Sequence, residues 1–298
     1  MMDQKNITQK NSLAKSSYIV GGMTFISRIS GFARDIIFAN IFGASSSTDA
    51  FFVAFKIPNF FRRLFAEGAF IQSFVPILNE YKIKNPLELK RFLSYVQGNL
   101  ALVLFLITAL GIFFSDYIIN LFAPGFDESG NRFSLASDML KITFPYLFFI
   151  SLTALSAGIF NSFNKFFLPA ITPVVLNISL ITSALYFTNI FSDPIIILAY
   201  GVLIAGIVQY LIQIPLLKRM DLLVMPRVNF KFAGVNKVIK LMLPAMLGTA
   251  VVQINLVIDS IVASMLAAGS ISWLYYSDRL VEFPLGVFGI AIATVILP

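Results

Sequence analysis

The chain has 298 residues, of which 58% are hydrophobic and 12% are charged, and its formal net charge is +7. A soluble domain carries about 25% charged residues, so this composition excludes a large water-facing surface and predicts membrane-spanning helices. The sequence contains no Cys and no His, which excludes disulfides, thiol nucleophiles, His bases and zinc sites with the usual ligands. The basic residues lie in predicted loops and inside spans, so nucleic acid is not an expected partner.

The hydrophobic pattern predicts an all-α polytopic membrane protein with about eight transmembrane helices. Residues 1–16 are polar and are expected to form a cytoplasmic tail. The predicted spans, in chain order, are residues 17–44, 49–81, 93–123, 138–163, 166–191, 194–217, 236–267 and 270–298. With the N-terminus inside, the inner loops hold almost all the loop Lys and Arg residues, and the outer loops hold Arg132 alone. This asymmetry follows the positive-inside rule and predicts a cytoplasmic N-terminus.

An internal similarity indicates a repeat. The run from Asp35 to Phe52 resembles the run from Asp259 to Tyr276, and Val75-Pro76 falls near Leu297-Pro298 if a gap is allowed. Chance similarity between apolar segments is the alternative, but parallel repeats are common in transporters. The predicted organisation is a six-helix N-terminal lobe at 17–220, a basic cytoplasmic loop at 221–235 and the first two helices of a second lobe at 236–298. On this interpretation the chain is expected to be truncated at its C-terminal end.

The first predicted span carries two arginines at membrane depth. Arg28 lies about 17 Å from the cytoplasmic end of the span at 1.5 Å per residue, and Arg34 lies deeper still. A central arginine costs about 2.5–3.5 kcal/mol on insertion scales, and Asp35 can neutralise at most one of the two. The weak helix former Gly31 between them favours a bent span that lines a cavity.

The second span adds a polar stripe. At 100° per residue, four charged residues fall on one helix face: Asp49, Lys56, Arg63 and Glu67. Arg62 is expected to project elsewhere unless Pro58 rotates the lower half of the helix. The eighth span contains Asp278, Arg279 and Glu282, whose spacing allows internal pairing.

Two interpretations of these charges remain open. Ion pairs between helices that fix the packing are one alternative. The other is a hydrated cavity for an anionic substrate, because excess buried Arg requires an anion and its planar fork binds phosphate oxygens bidentately. Asp259, a lone acid in the seventh span, is a candidate site for a coupling cation or proton. Since the sequence contains no nucleotide-binding phosphate loop and no acid–base constellation, neither an enzyme nor another cofactor is expected.

Several motifs resemble the MurJ (MviN) family of lipid II flippases. The most specific are Ser27-Arg-Ile-Ser-Gly-Phe-Ala-Arg-Asp35, Phe42-Gly-Ala44 and Thr48-Asp-Ala-Phe-Phe-Val-Ala-Phe-Lys-Ile-Pro-Asn59. Further matches are residues 62–70, 74–78, 142–146, 226–230 and 275–284. The resemblance implies a multidrug/oligosaccharidyl-lipid/polysaccharide exporter fold, with two six-helix lobes and extra C-terminal helices.

The resemblance also implies an activity and a set of site residues. The implied activity moves lipid II, an undecaprenyl-pyrophosphate-linked peptidoglycan precursor, between the leaflets of the bacterial inner membrane by alternating access. Membrane lipid and the cell-wall synthesis machinery are the other expected partners. Four arginines are expected to bind substrate: Arg28, Arg34, Arg62 and Arg279. Three acids are expected to gate or pair: Asp35, Asp49 and Glu67. The alternatives are a flippase for another polyprenyl-pyrophosphate glycan, a cation-coupled drug exporter and a non-transporting scaffold for cell-wall enzymes.

Overall fold

The computed structural model describes the backbone of residues 2–127 and 130–296, with the side chains of 2–19, 65–67, 252 and 285–296 left undescribed. Within these ranges all regular secondary structure is helical. In chain order the elements are α1 (Met2–Ile41), α2 (Ser46–Phe61), a π-helical segment (Arg62–Phe70), α3 (Ile71–Lys84), a 3-10 turn (Pro86–Glu88), α4 (Leu89–Phe113), α5 (Ser115–Phe122), α6 (Asn131–Thr143), α7 (Tyr146–Ser162), α8 (Phe167–Tyr186), α9 (Ile196–Leu211), α10 (Ile214–Arg219), α11 (Ala233–Ser264) and α12 (Ser270–Ile296).

These elements combine into eight helical rods within the described ranges. The π-helical segment joins α2 and α3 into one rod, and short interruptions divide three further rods into α4 and α5, α6 and α7, and α9 and α10. Five stretches of the described chain are long and apolar enough to cross a membrane: Pro86–Phe113, Asn131–Ser162, Phe167–Tyr186, Ile196–Arg219 and Ala233–Ser264. The predicted all-α class is confirmed. The count of eight membrane spans stays a prediction.

Two boundaries differ from the expected ones. Helix α1 begins at Met2, so the segment predicted as a tail is helical and continuous with the first span. No Gly or Pro occurs between residues 2 and 16, so nothing in that segment ends a helix. Helix α11 begins at Ala233, three residues before the expected start of the second lobe. The predicted echo at Leu297-Pro298 lies outside the described residues.

The rods pack so that α12 lies between the first two of them. Helix α1 packs against α8 and α12, α2 packs against α6 and α12, and the π-helical segment packs against α11. The last contact is close, because a Cβ added to Gly68 would lie 2.8 Å from the Thr249 methyl group. One apolar cluster surrounds Phe51 and Phe144, and a second, built from α3, α4 and α7, includes Val235 of α11.

The linker between α10 and α11 is fastened along α4. The Asn99 side chain accepts from the backbone N–H of Asn229 at 2.9 Å and donates to its carbonyl, also at 2.9 Å. The Arg227 N–H donates to the Ser94 carbonyl at 3.1 Å. Gly98 allows this approach, since a Cβ there would lie 2.2 Å from the Arg227 carbonyl oxygen. These bonds run from the extended linker to the buried residues Ser94 and Asn99 of α4, and they fix the linker and the start of α11.

Candidate functional site

The first candidate site is a cavity of about 220 Å³ bordered mainly by α2, the π-helical segment, α11 and α12. The charged residues that line it are Arg34, Lys56, Arg62, Arg63, Asp259, Asp278, Arg279 and Glu282. Five of these are basic and three are acidic, so the formal charge of the lining is positive. The acids, which α11 and α12 contribute, make the cavity less cationic than the sequence predicts.

A second cavity of about 240 Å³ lies between α1, α8 and α12. Arg28 lines this cavity and not the first one, and its side chain is exposed. Arg34 and Arg279 line both cavities, so together they form part of the wall that separates them. The four predicted substrate-binding arginines therefore lie around two adjoining spaces.

Arg34 is the most enclosed of these arginines, with 6% of the residue exposed. Its Nε and Nη2 donate to Asp35 Oδ1 at 2.9 and 2.7 Å. Its Nη1 donates to Asn177 Oδ1 at 3.0 Å, and Nη2 also donates to the Tyr275 hydroxyl at 2.8 Å. These contacts join α1 to α8 and α12. The expected pairing of Asp35 with one of the first two arginines is therefore made with Arg34.

Arg279 is in a more open environment. Its Nε lies 3.6 Å from the second oxygen of Asp35, and its guanidinium lies over the Tyr275 ring at 5.2 Å. Its Nη1 donates to Glu282 at 2.6 Å, on the same helix. The Arg279 side chain is 37% exposed and the Glu282 side chain is 59% exposed. The internal pairing predicted from the spacing on this helix is thus present between Arg279 and Glu282.

The π-helical segment brings both arginines of the second rod to the first cavity. Pro58 cannot donate the backbone bond of its turn, and the helix widens at Arg62, four residues later. Arg62 and Arg63 then both line the cavity, and Arg62 Nε donates to Asn59 Oδ1 at 3.1 Å. One turn earlier, Lys56 Nζ donates to Ser260 Oγ of α11 at 3.3 Å.

Asp49 of α2 lies away from both cavities, where it is fully buried against the first residues of α12. Its carboxylate accepts from the backbone N–H of Gly269 at 2.7 Å and from that of Ser272 at 2.8 Å. The Ser272 hydroxyl donates to it at 2.6 Å, and Arg132 lies 3.7 Å away. A carboxylate is favoured here because the first N–H groups of a helix lack helical partners and carry partial positive charge.

Asp259 is exposed on the wall of the first cavity. The part of the chain that the structure describes contains no group of three or more His, Cys, Asp and Glu residues that could hold a metal ion. The Glu67 side chain lies outside the described residues.

Comparison with known proteins decides the family. The family profile described as "Lipid II flippase MurJ" matches residues 38–298. The chain belongs to the MurJ family. A probable lipid II flippase MurJ of Buchnera aphidicola subsp. Schizaphis graminum is 50% identical over 96% of this chain and 56% of its own length. The corresponding protein of Vibrio cholerae is 48% identical over 98% of this chain and 57% of its length.

A solved structure agrees with the sequence comparisons. It is titled "Lipid II flippase MurJ, inward closed conformation" and shares 36% identity with a TM-score of 0.80, over 94% of this chain and 58% of that one. The chain thus spans a little over half the length of the relatives it matches. The family predicted from the motifs and the multi-pass membrane class are confirmed. The roles of individual site residues stay predictions.

In this MurJ-family chain the sequence analysis missed three contacts of the predicted charges. Asn177 and Tyr275 bind Arg34, and Arg132 approaches Asp49. Asn177 and Tyr275 are neutral, so the presence of charged residues in apolar segments does not point to them. Arg132 gave a signal, since it is the lone basic residue in the predicted outer loops.

Proposed function

We propose that the protein containing this chain flips lipid II from the cytoplasmic to the periplasmic leaflet of the bacterial inner membrane for cell-wall synthesis. The observation that carries the proposal is the net-positive cavity between the α1–α2 and α11–α12 hairpins of a MurJ-family chain. The pyrophosphate of lipid II matches this charge, and Arg binds phosphate oxygens bidentately. The polyprenyl tail can stay in the lipid while the head group crosses.

In this proposal Arg28, Arg62 and Arg279 bind the pyrophosphate from two adjoining cavities, and Arg34 belongs to the wall between them. The buried contact of Asp49 with the start of α12 supports a gating role, because any separation of α2 from α12 breaks it. Alternating access then exposes the cavities to one leaflet at a time. The distribution of basic loop residues supports a cytoplasmic N-terminus.

A coupling cation or proton is part of the proposal. Asp259 and Asp278 line the same cavity as Lys56, and both acids are exposed there. Carboxylates in a hydrated cavity can take up a proton or a small cation, which offsets the charge moved with the substrate. The same acids favour a second candidate, a cation-coupled exporter of cationic compounds, which the experiment below also tests.

The test is rescue of a bacterium depleted of its own lipid II flippase. The gene is expressed in its natural length, with Arg28→Ala, Arg62→Ala and Arg279→Ala each compared with the parent at matched membrane abundance. Arg219→Ala is the control, because Arg219 is exposed and lines neither of these cavities. We expect the parent and the control to rescue growth and the three cavity variants to fail.

A transport measurement separates the remaining alternatives. Purified protein in proteoliposomes is given fluorescent lipid II, or a polyprenyl-pyrophosphate carrying a different glycan. Flipping of lipid II alone supports the proposal. Flipping of the other glycan alone, or export of a cationic dye without lipid II movement, would move the assignment to that substrate. Rescue by all three cavity variants would instead favour packing roles for the arginines and a scaffold function.

A further inference from the structure

Arg34 and Arg279 differ in how many of their donors the protein already uses. A guanidinium has five N–H donors. Four of those on Arg34 are occupied, two by Asp35, one by Asn177 and one by Tyr275, and its side chain is 7% exposed. Arg279 donates to Glu282 and also contacts Asp35 and Tyr275, but its side chain is 37% exposed and it lines both cavities. An anion that enters either cavity therefore meets Arg279 as the more available cation.

Asn177 holds Arg34 from the α8 side. Its Oδ1 accepts from Arg34, while its Nδ2 donates to the Ser27 carbonyl at 3.2 Å and to Ser30 Oγ at 2.9 Å. The amide lies close to the α1 backbone, since a Cβ added at Gly31 would be in ordinary van der Waals contact with Asn177 Nδ2 at 3.5 Å. Rotation of the Asn177 amide would break all three bonds at once, so the acceptor stays aimed at Arg34.

Tyr275 holds Arg34 from the α12 side. Its hydroxyl accepts from Arg34 and donates to Asp35 Oδ1 at 3.1 Å, which closes a ring of three residues. The aromatic ring is stacked on Phe52 of α2 with centroids 3.9 Å apart. The residue is 7% exposed. Because the ring is clamped between helices, the hydroxyl cannot leave Arg34 without movement of α12 relative to α1 and α2.

We propose that Asn177 and Tyr275 are positioning residues that hold Arg34 in the wall between the two cavities and keep it from binding substrate in this conformation. One consequence rests on the proposed function: the pyrophosphate is then bound by the more exposed arginines, and chiefly by Arg279. Arg34 acts on transport through the Asp35 ring, whose other carboxylate oxygen faces Arg279. Movement of α12 away from α1 breaks the Tyr275 contacts with Arg34 and Asp35 and separates Arg279 from Asp35.

The direct test measures the accessibility of each guanidinium without any substrate. The purified full-length protein is treated with phenylglyoxal, which modifies accessible arginines, and modification is followed peptide by peptide with mass spectrometry. In the parent we expect Arg34 to react at least about tenfold more slowly than Arg279, because a buried group reacts only through opening of its surroundings. In Asn177→Leu and in Tyr275→Phe, we expect Arg34 to react at a rate close to that of Arg279.

The controls distinguish positioning from general loosening of the fold. Asn177→Asp keeps the acceptor for Arg34, so it should restore protection that Asn177→Leu removes. Asn40→Leu and Tyr186→Phe change exposed residues of α1 and α8 and should leave Arg34 protected. Two outcomes would overturn the inference. In one, Arg34 reacts as fast as Arg279 in the parent protein; in the other, Arg34 stays protected in both Asn177→Leu and Tyr275→Phe.

Substrate affinity provides a second, independent measurement. With fluorescent lipid II as the probe, Arg279→Gln should raise the Kd by about tenfold or more, the loss of one good charge-assisted contact, whereas Arg34→Gln should change it by less than about threefold. Equal losses in the two variants would assign Arg34 a direct substrate contact and overturn the inference. If the parent protein binds no lipid II, the proposed function is contradicted but the present inference is not, since the phenylglyoxal experiment tests the burial of Arg34 without substrate.

Discussion

The contact between Asp49 and the start of α12 allows a quantitative prediction for the variant Asp49→Asn. The carboxylate accepts three hydrogen bonds, from Gly269 N–H and from the N–H and hydroxyl of Ser272, and all three lie between 2.6 and 2.8 Å. Asparagine keeps one acceptor oxygen and loses the negative charge. Breaking a fully buried charged contact by changing one partner costs about 3–5 kcal/mol. We call the contact of α2 with the α11–α12 turn the seam. At the lower limit, the equilibrium between its closed and open states shifts about 100-fold.

The population of the open seam can be measured with one introduced thiol. Ser264 at the end of α11 is fully buried against Gly125, and this chain has no native cysteine. Ser264 lies five residues before Gly269 and packs against the α5–α6 connection, so a membrane-impermeant maleimide labels a Ser264→Cys thiol only when the turn between α11 and α12 moves away from the rest of the protein. We expect Asp49→Asn to raise the labelling rate about 100-fold, in proportion to the open population.

The matched control for this measurement is Asp193→Asn, which changes a carboxylate that accepts a long hydrogen bond of 3.4 Å from the Ser47 hydroxyl. It should leave the labelling rate unchanged. A rate in Asp49→Asn within about threefold of the parent, the range of an ordinary surface substitution, would refute the reasoning. Asp49 would then contribute to packing without holding the seam closed.

Two further predictions concern close approaches of the backbone. Gly125→Ala should abolish rescue of a flippase-depleted strain, because its Cβ would lie 2.3 Å from a backbone oxygen of α11 and overpacking costs about 1–3 kcal/mol. Gly248→Ala is the control: a Cβ there has nothing within 4 Å, so this variant should rescue normally. Asn99→Ala should speed tryptic cleavage of the linker at 221–232, since it removes both hydrogen bonds between the Asn99 side chain and the Asn229 backbone, each worth about 0.5–1.5 kcal/mol. Asn40→Ala is the control. Equal cleavage rates in the two variants would show that Asn99 does not hold the linker in place.

The sequence carried most of the information about the helices. Runs of apolar residues with helical length are sufficient to place the rods, because a chain in lipid must satisfy its backbone bonds within each helix. The run from Ser27 to Asn59 was sufficient for the family, and the family profile confirms it. The arginines of the predicted spans lie on α1, the π-helical segment and α12, which border the cavities, whereas α8 and α11 border them without an arginine.

The tertiary structure decided which of these charges face a cavity. Arg34 and Arg279 look alike in the sequence, yet one is enclosed and the other is open. The difference comes from Asn177 and Tyr275, which lie 143 and 241 residues from Arg34 in the chain. Hydrophobic periodicity is a local property and determines where helices form, whereas the partner of a buried charge is set by which distant helices pack together. The sequence by itself therefore determined the rods and the family, and only the packing of α1 against α8 and α12 decided what each charge contacts.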